Sequence, residues 1–402
     1  MNGQLHSVAV PRSQRGFASS APDDQAWDLS WADSRLTRIE PVATAATGIV
    51  LGTLVDIHVH LDKSYTVDEV GAARADLKVA IERTRTRRDG WSEAELHRRM
   101  TRALDDAWRG GTRALRTHLD WWQERPPTSL QVFNALCQEW RGRLELQFVS
   151  LTPLDLFEEA GGGNARARAV ADAGGILGAF VYRNDGLEAR LRRVFEVAVA
   201  HDLDLDFHVD EGLDADASGL RCIADLTAET GWQQRVTCGH ACSLSVQSAQ
   251  VALDTLRRCA AAGIHLVALP TTNLYLQGAW DATPVQRGIT RLREAASVGV
   301  RTCIATDNVA DAFYPYGSYD LLETFGLGVQ MAHLASATDW LPAITVNPAQ
   351  AMRLAWDGRI DLGSPADLIV LDGRSEYEML TPRGRRRTVY RNGAPIAPAA
   401  SS

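Results

Sequence analysis

The stretch Asp56-Ile57-His58-Val59-His60-Leu61-Asp62-Lys63 ends an apolar run that begins at Ile49, and this order predicts the end of a buried strand. Alternate side chains of a strand share a face, so His58 and His60 point to one side and Val59 to the other. Two imidazoles on one face are a ligand pair typical of a first-row divalent metal. The alternative is two polar residues at a strand tip that contact solvent or the backbone.

From Leu54 onward, apolar runs of strand length alternate with helical stretches, a pattern typical of β/α units and a parallel sheet. Eight such runs are present, at residues 54–60, 112–120, 144–152, 175–182, 203–211, 235–242, 264–270 and 300–308. Eight β/α units over about 300 residues predict a (β/α)8 barrel of the TIM type.

The two chain ends have a different pattern, with short candidate strands and turns rich in glycine and proline. Residues 367–371 and 388–390 are the candidate strands near the C-terminus. We therefore expect a barrel at residues 53–356 and a small β-sandwich domain that residues 1–52 and 357–402 form together.

The composition is typical of a globular enzyme, with 45% hydrophobic and 23% charged residues among 402. A formal net charge of -8 and a pI near 5.7 argue against nucleic acid or an anionic membrane as a partner. No apolar run predicts a membrane-spanning helix, and residues 1–16 lack the apolar core of a secretory signal. The six cysteines stand among apolar neighbours, as reduced thiols do. We expect a cytoplasmic homo-oligomer that acts on a small molecule.

Polar groups stand at the ends of four of the eight apolar runs, where barrels of this kind gather their chemistry. His58 and His60 end the first run, residues 206–211 the fifth, His240 lies in the sixth, and residues 306–308 end the eighth. An unpaired polar group in an apolar strand is costly, so four such strands indicate a common site.

Other polar residues are interpreted as structural. His118, at the end of the second run, fits a supporting role better than a ligand role. Cys238 and Cys242 flank His240 but have no second cysteine pair to complete a zinc site, so we interpret both as packing residues. The arginine-rich run 83–88 is interpreted as a solvated helix face.

The residues His-Val-His-Leu-Asp-Lys at 58–63, His208-x-x-Glu211, His240 and Asp307 resemble the amidohydrolase superfamily. More narrowly, they resemble the cytosine deaminases and the isopropylammelide amidohydrolases. Further matches extend over the barrel and the C-terminal end, at residues 116–120, 273–278, 287–291, 307–309, 314–317 and 363–370.

This resemblance implies one divalent metal ion, zinc or iron, held by His58, His60, His208 and Asp307. Many barrels of the superfamily hold two metals bridged by a modified lysine on the fourth strand. Here the fourth strand ends Phe180-Val181-Tyr182-Arg183, without a lysine, so we expect one ion per chain.

The resemblance also implies that Glu211 and His240 handle protons beside the metal, with Asp307 as the third catalytic residue. Hydroxide would add to an amino-substituted ring carbon of a small nitrogen heterocycle, and ammonia would leave. Because Glu211 follows His208 by three residues, the chain must bend between them for both to reach one substrate. The alternatives are a hydrolase of a cyclic amide or an N-alkylamino heterocycle, and a metal-binding barrel without catalysis.

The candidate substrate contacts depart from the cytosine deaminase pattern. Pro153 stands where those enzymes carry a glutamine, and Asn308 stands where they carry a second aspartate. Both changes affect substrate recognition, so the sequence supports deamination as the reaction better than it supports cytosine as the substrate. Phe313 is a candidate for stacking on a flat ring. Gln277 is a further candidate contact, and the tryptophans at 121–122 could form a wall of the site or pack in a loop.

Overall fold

The computed structural model describes residues 1–18, 20–74, 77–157 and 161–397. No helix in those ranges has both the length and the apolar composition to cross a bilayer. The chain divides into two compact units, one made of residues 1–56, 105–114 and 319–402 and the other of residues 57–104 and 115–318. The domain boundaries expected from the sequence stay a prediction.

The strands of the described residues are, in chain order, β1 Gly3–Ala9, β2 Ala26–Ala32, β3 Arg35–Val42, β4 Ile49–Gly52, β5 Leu54–Val59, β6 Thr112–Asp120, β7 Glu145–Pro153, β8 Ile176–Val181, β9 Leu205–Val209, β10 Val236–His240, β11 His265–Ala268, β12 Arg301–Ile304, β13 Leu368–Leu371, β14 Arg387–Arg391 and β15 Ala394–Pro395.

The α-helices of the same ranges are α1 Val67–Val70, α2 Leu77–Arg88, α3 Glu93–Gly110, α4 Thr128–Glu139, α5 Gly162–Asp172, α6 Leu187–Ala200, α7 Gly219–Glu229, α8 Ala249–Ala261, α9 Pro270–Leu276, α10 Leu292–Ser297, α11 Leu321–Met331, α12 Val346–Ala351 and α13 Glu376–Met379. Short 3-10 helices lie at Arg12–Gln14, Leu154–Phe157, Cys242–Ser245 and Ala337–Ile344.

Strands β5 to β12 form one eight-stranded sheet in chain order. Neighbouring strands from β7 to β12 run parallel; Gly239 of β10, for example, pairs with His208 of β9. An isolated parallel bridge between Val59 and Asp307 brings the end of the sheet back to its first strand. Parallel strands are covered on both faces, and accordingly every residue of β9 and β10 is buried. The predicted (β/α)8 barrel is confirmed.

Strands from both chain ends form a second, seven-stranded sheet in the order β15-β14-β13-β4-β1-β2-β3. Strand β4 joins the two ends, because it runs parallel to β1 and antiparallel to β13. A core that includes Trp27, Leu29, Val50 and Leu368 packs against this sheet. The chain ends therefore pair with each other, as the sequence predicts.

Candidate active site

Three histidines and one aspartate meet at the C-terminal ends of the barrel strands. His58 lies on β5 with His60 just after it, His208 lies on β9, and Asp307 follows β12. The Nε2 atom of His208 lies 3.2 Å from Nε2 of His58 and 3.2 Å from Nε2 of His60. Oδ1 of Asp307 lies 3.2 Å from Nε2 of His60 and 3.7 Å from Nε2 of His58. The four ligand candidates are thus brought together.

The donor atoms of this cluster have the spacing of a tetrahedral metal site. Zinc binds nitrogen and oxygen ligands at about 2.0–2.2 Å, which places neighbouring ligand atoms about 3.3–3.6 Å apart. The measured separations of 3.2 to 3.7 Å are close to that range. Imidazole nitrogens and a carboxylate oxygen are also the donor types that such ions prefer. The residues present therefore fit one divalent ion.

His118 lies directly behind this cluster. Its ring centroid is 3.9 Å from that of His58, and its Nε2 atom is 3.9 Å from Oδ1 of Asp206. His58, His118 and Asp206 also have the spacing of a ligand group. However, the other oxygen of Asp206 accepts a 2.9 Å hydrogen bond from Arg116. A carboxylate already paired with a cation is a poorer ligand, so His118 fits the supporting role expected of it.

The protonation states of the ligand cluster suit metal binding. Burial, and after it the neighbouring imidazoles, lowers the pKa of His58 and of His208 well below its ordinary value. Burial alone would raise the pKa of Asp307, but contact with His60 and His240 brings it below its ordinary value. Neutral imidazoles and an ionised carboxylate are the forms that bind a metal.

Glu211 follows β9 after a sharp bend at Asp210. Asp210 has a φ of +48°, in the left-handed region that few residues other than glycine adopt. Its carboxylate accepts hydrogen bonds from the backbone N–H groups of Gly219 and Leu220 at the start of α7, over 3.1 and 2.9 Å. This anchored turn supplies the bend that the sequence requires, because Glu211 and His208 line the same cavity.

His240 ends β10 beside Glu211. Its Nδ1 atom lies 3.5 Å from Oε1 of Glu211 and accepts a 3.0 Å hydrogen bond from the side-chain amide of Asn273. A neutral ring that accepts at Nδ1 carries its hydrogen on Nε2. That Nε2 atom is buried and has no hydrogen-bond partner among the described residues, so it is available to a substrate or a water molecule.

The same pair has opposite pKa shifts. Burial, and then the Asp307 carboxylate, raises the pKa of Glu211 well above its ordinary value. Burial lowers the pKa of His240 to about 4. Near neutral pH a protonated carboxyl group therefore lies beside a neutral imidazole. Acid–base catalysis uses neighbouring groups whose pKa values differ in this way.

A cavity opens over this cluster. His60, His208, Glu211 and His240 form part of its polar wall. Its apolar wall consists of Leu77, Ile81, Trp122, Leu151, Pro153, Phe180 and Phe313. An apolar wall with aromatic rings facing a few polar groups suits a small, flat, nitrogen-containing ring.

Comparison with known proteins identifies the family. The family model described as "Amidohydrolase family" matches residues 135–397. A pterin deaminase of Rhizobium rhizogenes (strain K84 / ATCC BAA-868) is 35% identical over 381 residues, which cover 92% of this chain and 87% of that protein. The chain belongs to the amidohydrolase family. The predicted superfamily and enzyme class, a hydrolase of carbon–nitrogen bonds, are confirmed.

Two solved structures resemble this amidohydrolase over its whole length. The 5-methylcytosine deaminase from Klebsiella pneumoniae has a TM-score of 0.85 and 25% identity, covering 100% of this chain and 99% of that one. The N-isopropylammelide isopropylaminohydrolase from Burkholderia multivorans ATCC 17616 has a TM-score of 0.76 and 25% identity, covering 98% of each chain.

The candidate substrate contacts of this amidohydrolase divide into two groups. Pro153, Asn308 and Phe313 line the cavity. Gln277 is not among its lining residues; its amide donates to the backbone carbonyl of Glu211 over 3.5 Å and so supports the turn. The side chain of Trp122 forms part of the wall, so that tryptophan has the first of its two predicted roles.

One interpretation of the sequence is wrong: residues 83–88 are not wholly a solvated helix face. The side chain of Arg88 is 15% exposed, lines the cavity and pairs with Asp120 over 3.2 Å. Leu77, Ile81, Thr84 and Arg88 line the cavity and follow one another at intervals of four, three and four residues. That spacing puts them on one face of α2. This spacing is visible in the sequence and could have indicated that one face of the helix is partly buried.

Proposed function

We propose that this amidohydrolase is a mononuclear metal-dependent aminohydrolase that removes an exocyclic amino group from a small nitrogen heterocycle as ammonia. The observation that carries the proposal is the 3.5 Å contact between Glu211 and His240 in the cavity that the ligand cluster lines. Pterins are the first candidate substrates because the 35% identical relative is a pterin deaminase. Aminopyrimidines come next, through the likeness to 5-methylcytosine deaminase.

The proposed cofactor is one divalent ion per chain, zinc or iron. His58, His60, His208 and Asp307 would hold it, supported by their donor-atom spacing. The absence of a lysine from the end of the fourth barrel strand supports a single ion. When bound, the ion would make hydroxide available near neutral pH.

The residues beside the metal site would move the protons. Glu211, which keeps its proton because it is buried, would donate that proton to a ring nitrogen. It would then take the proton of the hydroxyl group added to the ring carbon and deliver it to the departing amine. His240 would orient the attacking water through its Nε2–H group, and Asn273 would fix the orientation of the imidazole ring. The roles of Glu211 and His240 account for two buried polar groups of the cavity.

Two residues would position the ring. Phe313 supplies an aromatic wall for stacking. The amide nitrogen of Asn308 donates to Asp311 over 2.6 Å, so the amide is oriented and its oxygen can accept from a ring N–H. Pro153 offers no side-chain amide to a pyrimidine edge, which argues against cytosine as the substrate.

The test is ammonia release by the metal-loaded enzyme across pterins, aminopyrimidines and aminotriazines, with free alkylamine measured in parallel. Ammonia from at least one ring, abolished in Glu211→Gln, is the expected result. Release of an alkylamine alone would establish the alternative, hydrolysis of an N-alkylamino heterocycle. A metal-loaded protein inert to the whole panel would contradict the proposal. A cytoplasmic location and a homo-oligomeric state stay predictions.

A further inference from the structure

The chain contains only two lysines. Forty of its forty-two basic residues are arginines, and the lysines are Lys63 and Lys78. Lys78 lies on α2 and is exposed. Lys63 is 3% exposed and lines the same cavity as Glu211 and His240. Arginine cannot replace lysine where the donor group must be compact and free to rotate. A buried lysine on the cavity wall of an arginine-rich chain therefore indicates a specific hydrogen-bonding role.

Lys63 is held by a chain of charged groups at the ends of the first two barrel strands. Its ammonium donates to Oδ1 of Asp120 over 2.9 Å. The other carboxylate oxygen of Asp120 accepts from Arg88 over 3.2 Å. The backbone N–H of Asp120 donates to the Asp62 carboxylate over 3.1 Å. Asp120 is thereby fixed from three sides, and it fixes the ammonium in turn.

Lys63 has more hydrogen-bond donors than these contacts use. An ammonium group has three N–H donors, and Asp120 is the only hydrogen-bond acceptor of Lys63 among the described residues. The ring of Phe313 also contacts the ammonium, with its centroid 5.2 Å from Nζ, and the Asp62 and Asp311 carboxylates act on its charge without a hydrogen bond to it. Buried donors normally have partners, so unused donors of a buried ammonium on a cavity wall indicate an acceptor on the ligand.

We propose that Lys63 is a specificity-determining residue that donates a hydrogen bond to the oxo oxygen of an amino-oxo heterocycle, with Asp120 and Arg88 as the positioning residues that hold it. This inference rests on the proposed function and names the substrate class, rings that carry a carbonyl near the amino-bearing carbon, as pterin does. An ammonium group can donate a hydrogen bond to an oxo oxygen. It does not bind an amino group in the same place, because the ammonium and the amino group are both donors. The same contact would stabilise negative charge that develops on the ring during attack.

The kinetic test compares Lys63→Met with the matched control Lys78→Met on two substrates, 2-amino-4-oxopteridine and 2,4-diaminopteridine. We expect Lys63→Met to lower kcat/KM for the oxo substrate about 10- to 100-fold and to leave the diamino substrate nearly unchanged, as loss of one charged hydrogen bond predicts. Lys78→Met should match wild type on both. An equal loss on both substrates would make Lys63 a purely structural ion-pair partner and would overturn the inference.

A second variant covers the case in which Lys63→Met folds poorly because Asp120 is left with one cation. The double variant Lys63→Met/Asp120→Asn removes the carboxylate that has lost one of its two cations and should show the same selective loss on the oxo substrate. Retention of the wild-type preference for the oxo ring in either variant would overturn the inference while leaving the proposed function intact. Wild-type enzyme that releases ammonia only from rings without an oxo group would overturn the inference and leave the proposed function intact, whereas wild-type enzyme inert to the whole panel would contradict both.

A binding measurement gives a readout that does not depend on turnover. Enzyme labelled with 13C at lysine Cε should give two side-chain signals, and the one missing in Lys63→Met belongs to Lys63. Addition of the product-type ring 2,4-dioxopteridine to the metal-loaded enzyme should shift the Lys63 signal and leave that of Lys78 in place. Saturation by the ring without movement of the Lys63 signal would overturn the inference.

Discussion

The backbone N–H of Asp307 donates a 2.9 Å hydrogen bond to the carbonyl oxygen of His58, so two of the candidate metal ligands are paired through their main chains. His58 lies on the first barrel strand and Asp307 follows the last. The contact that completes the barrel therefore also sets the distance between their side chains. Asp307 has a φ of +66°, and this turn lets its carboxylate face the imidazoles while its N–H faces the strand.

Metal analysis of the purified protein should give close to one divalent ion per chain. The reason is that one set of four donors lies at tetrahedral spacing, while the neighbouring Asp206 is paired with Arg116. Removal of the ion with a chelator should abolish turnover, and one equivalent of zinc or iron should restore it. Two ions per chain, both required for activity, would contradict a mononuclear site.

His208→Ala should lose most of the bound metal, because a tetrahedral site short of one ligand binds far more weakly. His97→Ala is a suitable control, since His97 is exposed on α3 and pairs with Glu139. The measurement is metal content after dialysis of both variants against the same buffer. A wild-type metal content in His208→Ala would remove that residue from the ligand set.

Gly239→Ala should weaken the metal site without touching a ligand. A Cβ atom at Gly239 would lie 2.8 Å from Cε1 of His58, closer than real contacts of this kind. The added methyl group must therefore push the His58 imidazole off its position. We expect reduced metal affinity in a protein whose circular dichroism spectrum is unchanged. Metal affinity equal to wild type would show that the site can absorb the displacement.

Glu211→Gln should keep the metal and the fold and lose about 10²–10⁴-fold in turnover, the usual contribution of a general acid or base. Glutamine is nearly isosteric but cannot transfer a proton, so substrate affinity should change much less than rate. Glu196→Gln, an exposed carboxylate on α6, serves as the control. Turnover and metal content are measured on one preparation. Full activity would refute the proton-transfer role, and loss of metal would reassign Glu211 to the support of the ligands.

Mild acidification should lower the stability of the barrel because of His265. This histidine begins β11 and is not one of the candidate metal ligands. Burial, and then Arg301, lowers the pKa of His265 to about 3. Between pH 6.5 and 3 the unfolded chain binds a proton there that the folded chain does not, so the free energy of unfolding falls as pH falls. The loss from pH 7 to 5 is about 2 kcal/mol for this group.

Chemical denaturation of metal-free wild type and His265→Leu at pH 7 and pH 5 measures this effect. The fall in unfolding free energy between the two pH values should be about 2 kcal/mol smaller in the variant. Equal falls in both proteins would show that His265 does not titrate differently on folding.

Much of the barrel and the ligand cluster could be predicted from the sequence. Strands buried on both faces stand out as apolar runs, and polar groups such as His208 and Asp307 are conspicuous at their ends. The bend at Asp210 followed from the spacing of His208 and Glu211. The position of Arg88 did not follow, because the spacing of residues 77–88 marks one face of α2 but does not tell which neighbour that face meets. The contact of Lys63 with Asp120 depends on two strand ends that only the fold brings together.

The bridge between Val59 and Asp307 completes the barrel, so the candidate metal site can form only after Asp307 has been synthesised. A ribosome delivers His58, His60 and His208 before Asp307, and at about 5–20 residues per second the wait between the last two is roughly 5–20 s. A chain that stalls within this interval has three of the candidate ligands, lacks the Asp307 carboxylate and has an incomplete barrel. The four candidate ligands are therefore complete only after Asp307 has been synthesised and the barrel has closed.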